Sequence, residues 1–328
     1  MNASAHTGPG GDQPGQYVGR LSPDPRSGPR VACVVLNWNG WQDTVACLTA
    51  IDALNYGNRF VIVVDNGSTD DSVQRIREAH PAVEMICTGG NLGYAGGVNA
   101  GIRLALERGA EFVWLLNNDA EPLPSALSAL VGKALEQPDL GAVGSVLMYM
   151  SSQTEVQAWG GGRVNCWLGR ASHATSRRED PWFDYLTGAS LLLRCAALAK
   201  VGLFDDGFFL YWEDTDLSFR LRRQGWRLGV AAESVVLHKV GASSGDRRRV
   251  DRHSTASGIR FLRKHALIPW ISVPLFLTSR FANRIVRGHF ARTTDIIGGI
   301  RDYMASAKMR KPAAPIGPPG RRAGLGRR

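Results

Sequence analysis

Cysteine is scarce in this sequence, and none of it has the spacing of a metal site. The five residues are scattered over 328 positions without a C-x-x-C pair: Cys33, Cys47, Cys87, Cys166 and Cys195. An odd number of cysteines without ligand spacing is typical of reduced, mostly buried thiols in a cytosolic protein. The pattern therefore argues against a structural zinc site.

Signals for export and for membrane insertion are also missing. The first thirty residues contain eleven Gly or Pro residues and no apolar h-region, so we expect no signal peptide and a disordered leader over 1–30. The apolar stretch 266–278 has only 13 residues and is interrupted by Pro269 and Pro274, whereas a bilayer-spanning helix needs about 20. Residues 312–328 are rich in Pro, Gly and Arg and predict a disordered tail.

Charge is distributed unevenly along the chain. Residues 246–328 contain 19 Lys/Arg and 4 Asp/Glu, a formal charge of +15, whereas residues 1–245 contain 20 and 25, a charge of −5. A mildly acidic body therefore carries a strongly basic C-terminal part. Such a tail favours an anionic partner surface, either nucleic acid or the inner leaflet of a membrane.

Residues 31–136 alternate between short apolar runs and amphipathic stretches, which predicts an α/β fold with a doubly wound, mostly parallel sheet. The pattern becomes irregular from about residue 141, which favours a mixed sheet in the second half. Right-handed crossovers place the loops that follow the parallel strands at one edge of the sheet. The expected strands are Val31–Leu36, Phe60–Val64, Val83–Cys87 and Phe112–Leu116, and the expected helices are 42–54, 71–79, 97–108 and one from about Pro124.

Polar clusters follow the predicted strands. Asp65 can accept hydrogen bonds from a ribose or a base edge, although Asp-Asn-Gly is also a common turn. The glycine-rich stretch 89–99 opens a helix and can approach phosphate, but it lacks the G-x-G-x-x-G register, and no P-loop occurs. Asp119 can hold a divalent cation or simply cap a turn. His238 ends another apolar run and is either a metal or diphosphate contact or a structural histidine.

Adjacent carboxylates at Glu213 and Asp214 follow an aromatic run and precede a short predicted helix. Asp214 has the residue type of an N-cap, and Gly225 lies where a C′ residue belongs. The helix N-terminus favours an ionised carboxylate, which suits a general base that accepts a proton from an alcohol. An ordinary capped helix with a solvated acidic start is the alternative.

Six motifs in order carry a resemblance to a known family. Over about residues 31–245 the chain resembles the family 2 glycosyltransferases of GT-A fold, and it is most similar to their rhamnosyltransferase-like branch. The motifs are Leu36-Asn37-Trp38-Asn39-Gly40, Val64-Asp65-Asn66-Gly67-Ser68-Thr69-Asp70, Asn91-Leu92-Gly93-Tyr94, Leu116-Asn117-Asn118-Asp119, Thr187-Gly188-Ala189 and Trp212-Glu213-Asp214-Thr215-Asp216-Leu217.

The resemblance implies roles for individual residues. Asp214 matches the catalytic base, and Asp119 matches the last acid of the D-x-D motif, with His238 as the second metal or diphosphate ligand. The implied nucleotide-sugar site contains Asn37, Asp65, Asn91, Gly93, Asn99, Asn118 and Asp119, and the implied acceptor site contains Gly188, Trp212 and Glu213. Asn117 replaces the first acid of D-x-D, so the Mg²⁺ or Mn²⁺ that the resemblance implies has one charged ligand fewer.

The implied activity is inverting transfer of a sugar from a nucleoside diphosphate donor to a hydroxyl of a saccharide or polyprenyl-linked acceptor in cell-envelope polysaccharide synthesis. The first expectation for the donor is dTDP-rhamnose, from the resemblance alone. A sugar-1-phosphate nucleotidyltransferase is the nearest alternative, but the loop Asn37–Gly40 lacks the glycine-rich, basic grip on a triphosphate. A nucleic-acid-binding protein is a third reading, although the basic tail lacks a recognisable module, so we expect no nucleic acid partner. The sequence leaves the oligomeric state open.

The basic extension over 246–311 has two interpretations. Its apolar stretch is flanked by basic residues and offers Trp270 and Phe276 as interfacial anchors, which predicts a segment lying on an anionic membrane surface. The protein would then be cytoplasmic and peripheral at the inner face of the plasma membrane. The alternative is a helix that packs onto the catalytic domain or a partner. The basic flanks are Arg260, Arg263, Lys264, Arg280, Arg284 and Arg287.

Overall fold

A central mixed β-sheet with helices on both faces organises the protein. The computed structural model describes residues 28–239 and 247–309, so all but residues 28–30 of the leader predicted over 1–30, and the whole tail over 312–328, lie outside the described residues. The strands are β1 Val31–Asn37, β2 Arg59–Asp65, β3 Glu84–Cys87, β4 Phe112–Asn117, β5 Ala120–Pro122, β6 Leu140–Tyr149, β7 Ser152–Trp159, β8 Gly161–Asn165, β9 Arg170–His173, β10 Tyr185–Leu186, β11 Ser190–Arg194 and β12 Arg227–His238.

Nine α-helices are present in the described residues, together with 3₁₀ turns at Asp180–Trp182 and Phe290–Arg292. The helices are α1 Trp41–Asp52, α2 Ser72–Ala79, α3 Gly93–Glu107, α4 Ala126–Glu136, α5 Cys195–Val201, α6 Glu213–Arg223, α7 Arg247–His265, α8 Pro269–Val286 and α9 Thr293–Met309.

The main sheet has the order β3-β2-β1-β4-β11-β6-β12-β5, and β7 pairs with β6. The first four strands are parallel, as predicted, because the helices α1, α2 and α3 form the crossovers that join them. The second half is mixed: β11 runs antiparallel to both β4 and β6, and β12 runs parallel to β6. The carboxyl ends of β1, β2 and β4 therefore meet at one edge, next to the end of β12.

Apolar side chains fill both faces of this sheet. One cluster joins α1 and α4 to the strands, and the other joins α3, α5 and α6 to the opposite face. Helix α3 approaches the sheet closely because a Cβ on Gly97 would lie 2.5 Å from Leu36 Cδ1, and one on Gly101 would lie 2.5 Å from Val34 Cγ1. This close packing fixes the start of α3 relative to the ends of β1 and β2.

Helix boundaries differ from the sequence prediction at two functional segments. Helix α3 begins at Gly93 rather than near 97, since Gly93 has a φ of 74° and turns the chain into the helix. Trp212, not Asp214, occupies the N-cap position of α6. The predicted C′ residue is confirmed: Gly225 has a φ of 82°, its N–H donates to Arg222 O, and Trp226 N donates to Leu221 O.

The C-terminal part forms a helical unit, α7 to α9, that packs onto the rest of the protein. Phe276 is 2% exposed and packs with Phe261 and Leu262, so the expectation that it anchors the protein in a membrane interface is wrong. Arg280 and Arg284 point inward to the buried carboxylate of Asp251 rather than outward to lipid. Among the described helices, none is long and apolar enough to span a bilayer.

Candidate active site

Asp65 and Asn37 lie side by side where β2 and β1 end. Asn37 Nδ2 donates to Asp65 Oδ2 at 2.9 Å, and Ser68 Oγ donates to the same oxygen at 2.6 Å. Both side chains are nearly inaccessible to solvent. Thr44 Oγ1 donates to Asn37 Oδ1 at 2.8 Å and fixes the amide orientation. The two predicted nucleoside residues thus form one preorganised polar cluster at the sheet edge.

The glycine-rich loop is held to this edge by Asn66. Its Nδ2 donates to Gly93 O at 3.0 Å and to Asn91 Oδ1 at 3.2 Å, while Leu92 N donates to Asn66 Oδ1. Asn91 Oδ1 also accepts from Gly93 N at 2.9 Å. A Cβ on Gly93 would lie 2.3 Å from Phe209 O, so only glycine fits. The loop therefore presents the start of α3 to the space in front of β2.

Asn99 lies apart from this polar edge. Its side chain is 1% exposed, its Nδ2 donates to Phe204 O, and its Oδ1 accepts from Phe204 N. Its Nδ2 also donates to Asp206. These bonds satisfy the amide and fasten the loop after α5 to α3. Asn118 likewise donates to Gly40 O and Thr44 Oγ1, which ties the end of β4 to the start of α1.

Asp119 and His238 face each other across the β5–β12 pair. Asp119 Oδ1 lies 3.2 Å from His238 Nε2, and both side chains are largely buried. His238 Nδ1 lies 2.9 Å from Gln157 Oε1, so the tautomer that donates to Gln157 leaves the Nε2 lone pair facing Asp119. Asn117 Nδ2 lies 3.4 Å from the same Nε2. The pair therefore offers one carboxylate oxygen and one imidazole nitrogen as potential ligands of a cation.

This pair fits a cation that shares its coordination with a ligand. Asp119 Oδ1 is buried, and within 28–239 and 247–309 no hydrogen bond to it is found besides its contact with His238 Nε2. No group of three His, Cys, Asp or Glu side chains in those ranges is placed to hold a metal by itself. Mg²⁺ commonly takes one or two protein ligands and completes its shell with phosphate oxygens and water. The donor set is suitable for such a shared site.

Asp214 lies in the first turn of α6 and accepts several hydrogen bonds. Gly188 N donates to its Oδ2 at 3.0 Å, and Thr215 N and Oγ1 donate to its Oδ1 at 2.6 and 3.1 Å. Burial raises the pKa of Asp214 above its ordinary value, while these bonds and the neighbouring His173 limit the rise. Such a carboxylate is oriented, ionisable and able to take a proton.

Tyr94 connects the glycine-rich loop to this carboxylate. Its hydroxyl donates to Gly188 O at 3.0 Å, on the same residue whose N–H donates to Asp214. A Cβ on Gly188 would lie 3.3 Å from the Tyr94 oxygen, which is tight, and 3.6 Å from Asp214 Cβ, which is ordinary van der Waals contact. Gly188 therefore borders the predicted base, and the acceptor contact that the resemblance implied for it stays a prediction.

Glu213 and Trp212 lie next to the base but face other surroundings. Glu213 is 7% exposed, and its Oε2 has no hydrogen-bond partner among the described atoms. Burial, followed by the charge of Asp214, raises the pKa of Glu213 well above its usual range, so this carboxyl favours the neutral form. The Trp212 ring is half-buried and lies 4.7 Å from that of Phe261.

Gln157 and Tyr94 were not assigned roles from the sequence. Gln157 belongs to β7, 81 residues before His238, and no motif surrounds it. Tyr94 lies within a recognised motif, but only the folded chain shows that it reaches Gly188, 94 residues away. Pairing across such distances leaves no periodic signal, so local pattern analysis could not have found either contact.

Comparisons with known proteins identify the family of this chain. The family model described as glycosyl transferase family 2 matches residues 32–202. Among characterised proteins, the chain is 30% identical to an N-acetylglucosaminyl-diphospho-decaprenol L-rhamnosyltransferase from Mycobacterium tuberculosis over 246 residues, which cover 67% of this chain and 79% of that protein. It is also 30% identical to the galactofuranosyltransferase GlfT1 from the same species over 189 residues, covering 56% of this chain and 61% of the relative.

Solved structures show the same fold. A mannosyltransferase from Pyrobaculum calidifontis, determined with GDP-Man and Mn²⁺, superposes with a TM-score of 0.53 at 20% identity, covering 89% of this chain and 79% of that one. TarS from S. aureus superposes with a TM-score of 0.52 at 16% identity, covering 84% and 80%. At these identities the likeness concerns the GT-A architecture alone.

Proposed function

Because this chain belongs to glycosyl transferase family 2, we propose that it transfers a sugar from a nucleoside diphosphate donor to a hydroxyl of a saccharide or polyprenyl-linked acceptor. The observation that carries the proposal is the carboxylate of Asp214, oriented by Gly188 and Thr215 beside the glycine-rich loop. The cluster of Asn37 and Asp65 at the adjacent strand ends is the proposed nucleoside site. The proposed donor is dTDP-rhamnose, in line with the mycobacterial relative being an L-rhamnosyltransferase.

The chemistry follows from the position of Asp214. Its free lone pairs accept the proton of the acceptor hydroxyl as that oxygen attacks the anomeric carbon from the face opposite the leaving diphosphate. One base and one displacement invert the anomeric centre. A retaining route through a covalent intermediate needs a carboxylate nucleophile, and Glu213 is a poor one because it is buried and favours its neutral form.

Asp119 and His238 are the proposed ligands of a divalent cation, Mg²⁺ or Mn²⁺. Bound there, the cation would neutralise charge on the departing diphosphate. Gln157 orients His238 so that its Nε2 lone pair is available, and Asn117 contributes no charge. If Asp119→Ala weakens nucleoside diphosphate binding only in the presence of Mg²⁺ or Mn²⁺, the cation site is supported. Full wild-type activity in EDTA would contradict it.

A donor panel tests the proposed activity directly. The full chain is incubated with nucleoside diphosphate sugars, including dTDP-rhamnose, UDP-galactofuranose and GDP-mannose, and slow hydrolysis and thermal stabilisation are measured. A true donor stabilises the protein by mass action and releases nucleoside diphosphate, and Asp65→Ala should abolish both effects. Stabilisation by a sugar 1-phosphate with a nucleoside triphosphate, but by no nucleoside diphosphate sugar, would favour the nucleotidyltransferase alternative.

We further propose that the exposed face of α8 lies on an anionic membrane surface at the inner face of the plasma membrane. Trp270 is 76% exposed and Val286 84% exposed, although both are large and apolar. Exposed basic side chains flank the face at Arg263 and Arg287, which suits anionic head groups. The exposed apolar residues of this α8 face are Trp270, Ile271, Leu275, Ile285 and Val286, and Leu267 is exposed just before the helix begins.

Flotation with vesicles that contain anionic lipid tests the α8 face. Wild-type protein should float, and Trp270→Glu should remain in the soluble fraction. Leu135→Glu is the matched control, because Leu135 is also exposed but lies on α4. If both variants float as the wild type does, the α8 face does not bind the membrane. If the wild type fails to float and forms dimers that Trp270→Glu abolishes, the face is an interface between copies.

A further inference from the structure

The turn that precedes the proposed base has a strained backbone. Tyr211 and Trp212 have φ values of 69° and 71°, in the left-handed region that bulky residues avoid. Such conformations are unfavourable for residues other than glycine and persist only when the surrounding structure enforces them. Because Trp212 is the N-cap of α6, the conformation of this turn sets where Asp214 lies.

Helix α7 contacts Phe209, Leu210 and Trp212 in and before this turn, all from one face. The ring of His253 stacks on Phe209 with centroids 4.8 Å apart, and Ser257 Oγ donates to Leu210 O at 2.9 Å. One further turn along α7, Phe261 lies against Trp212. The three α7 residues are spaced four apart, so they form a single stripe along the helix.

A second attachment holds the chain just after the base. His265 Nε2 lies 2.7 Å from Asp216 Oδ1, and neither side chain is accessible to solvent. Lys264 Nζ lies 2.7 Å from the same oxygen, and Arg220 Nε donates to the other oxygen at 2.8 Å. Burial alone would raise the pKa of Asp216, but His265, Arg220 and Lys264 lower it below its usual range, so the carboxylate stays charged. Asp214 therefore lies between two segments that α7 fastens.

The opposite side of the turn supports the glycine-rich loop. Tyr94 N donates to Phe209 O at 2.7 Å, and Gly93 packs against the same residue. The turn is thus enclosed between that loop and α7. Both the turn and α7 lie beyond residue 202, where the family match ends.

We infer that α7 is a positioning element of the active site, whose residues Ser257, Phe261 and His265 hold the strained turn so that Asp214 meets Gly188. The inference rests on the proposed function. Helix α7 touches none of the reacting atoms and acts through the turn. Without its contacts the turn would relax, and the base would lose its hydrogen bond from Gly188 while the nucleoside site stayed intact.

Substitutions along α7 test this role. Phe261→Leu keeps the apolar volume but removes the ring contact with Trp212, and Ser257→Ala removes only the bond to Leu210. Arg252→Ala is the matched control, since Arg252 also lies on α7 but pairs with Asp302 of α9. We expect kcat to fall roughly 10- to 100-fold for Phe261→Leu, as for a misplaced catalytic group. Donor KM should change less than threefold, and Arg252→Ala should match the wild type.

The pH profile separates positioning from mere stability. The Gly188 bond lowers the pKa of Asp214, so its loss should move the acidic limb of the kcat profile to higher pH in Phe261→Leu but not in Arg252→Ala. The other titratable groups that face Asp214 are Glu213, His173, Tyr94 and Tyr185. None of these is altered by the substitution.

Hydrogen exchange provides a readout that needs no activity. Residues 209–216 should exchange faster in Phe261→Leu than in Arg252→Ala, while 31–37 and 59–65 keep their protection. If Phe261→Leu and Ser257→Ala both retain the kcat and the exchange of the control, α7 does not position the base and the inference is wrong. A different result is possible: residues 209–216 exchange faster in Phe261→Leu, but the wild-type protein transfers no sugar. The proposed function would then be wrong, whereas the conclusion that α7 positions the turn would still be supported.

Discussion

At the residue scale, both carboxylate oxygens of Asp214 accept hydrogen bonds, one from the backbone N–H of Gly188 and the other from that of Thr215. We predict that Asp214→Asn lowers kcat by about 10³-fold or more, because the amide cannot accept the proton of the acceptor hydroxyl. Donor affinity, measured by calorimetry, should stay close to that of the wild type. Asp71→Asn makes the same chemical change in an exposed ion pair with Arg75 and should have no effect. Retention of a tenth of wild-type turnover by Asp214→Asn would exclude Asp214 as the base.

Glu213 is expected to oppose stability at neutral and alkaline pH. Its pKa is raised in the folded protein, so the folded state keeps a proton that the unfolded state loses above about pH 4.3. The free energy of unfolding therefore falls as pH rises from that value toward the folded pKa. Glu213→Gln removes this dependence and should raise Tm at pH 8 while leaving Tm near pH 4 unchanged. Equal pH dependence of Tm in both proteins would show that Glu213 is ionised in the folded state.

At the scale of elements, the start of α3 depends on one glycine. A Cβ at Gly93 would lie 2.3 Å from Phe209 O and would force the loop away from the turn before the base. Gly93→Ala should therefore lower Tm and weaken donor binding, as measured by thermal denaturation and calorimetry. Gly132→Ala is the control: it lies inside α4 with open space around its Cβ position, and it should stabilise the protein by about 0.5–1 kcal/mol. If donor affinity is unchanged in Gly93→Ala, the glycine-rich loop does not contribute to donor binding.

At the scale of the whole molecule, one buried carboxylate joins the C-terminal helices. Asp251 of α7 lies within 3.2 Å of Arg280, Arg284 and Arg292, and its side chain is 1% exposed. Removing one partner of a buried ion pair costs roughly 3–5 kcal/mol, because the remaining charges stay desolvated. Asp251→Asn should therefore lower the free energy of unfolding by that order, whereas Asp302→Asn, in an exposed pair with Arg252, should cost at most about 1 kcal/mol.

The lowered pKa of Asp251 also predicts how the free energy of unfolding changes at acidic pH. Burial would raise the pKa of Asp251, but the three arginines lower it below its ordinary value. The stability it contributes is therefore complete above the unfolded pKa of about 3.9 and is lost as pH falls through the lower folded value. Thermal denaturation between pH 7 and pH 2 should show that the Tm of the wild type approaches the Tm of Asp251→Asn only below about pH 4. A constant difference in Tm down to pH 2 would contradict this assignment.

Local sequence patterns already determined the body of the fold and the edge that carries the site. Four apolar runs followed by amphipathic stretches correspond to β1 to β4 and their helices, and Asp119 follows β4 as predicted. Asn37 and Asp65 were expected just after their strands but are the last residues of β1 and β2. These features were predictable because hydrophobic periodicity and turn residues act over a few positions. Gly225 at the end of α6 is another local signal that the structure confirms.

Only the tertiary structure decided which distant residues complete the site and which way the extension faces. Gln157 reaches His238, Tyr94 reaches Gly188, and α7 reaches the turn before Asp214, all through contacts between segments far apart in the chain. Arg280 and Arg284, which the sequence suggested for lipid, turn inward because Asp251 is buried and must be neutralised. These contacts and orientations depend on burial and on charge pairing between distant residues, which no local sequence pattern encodes.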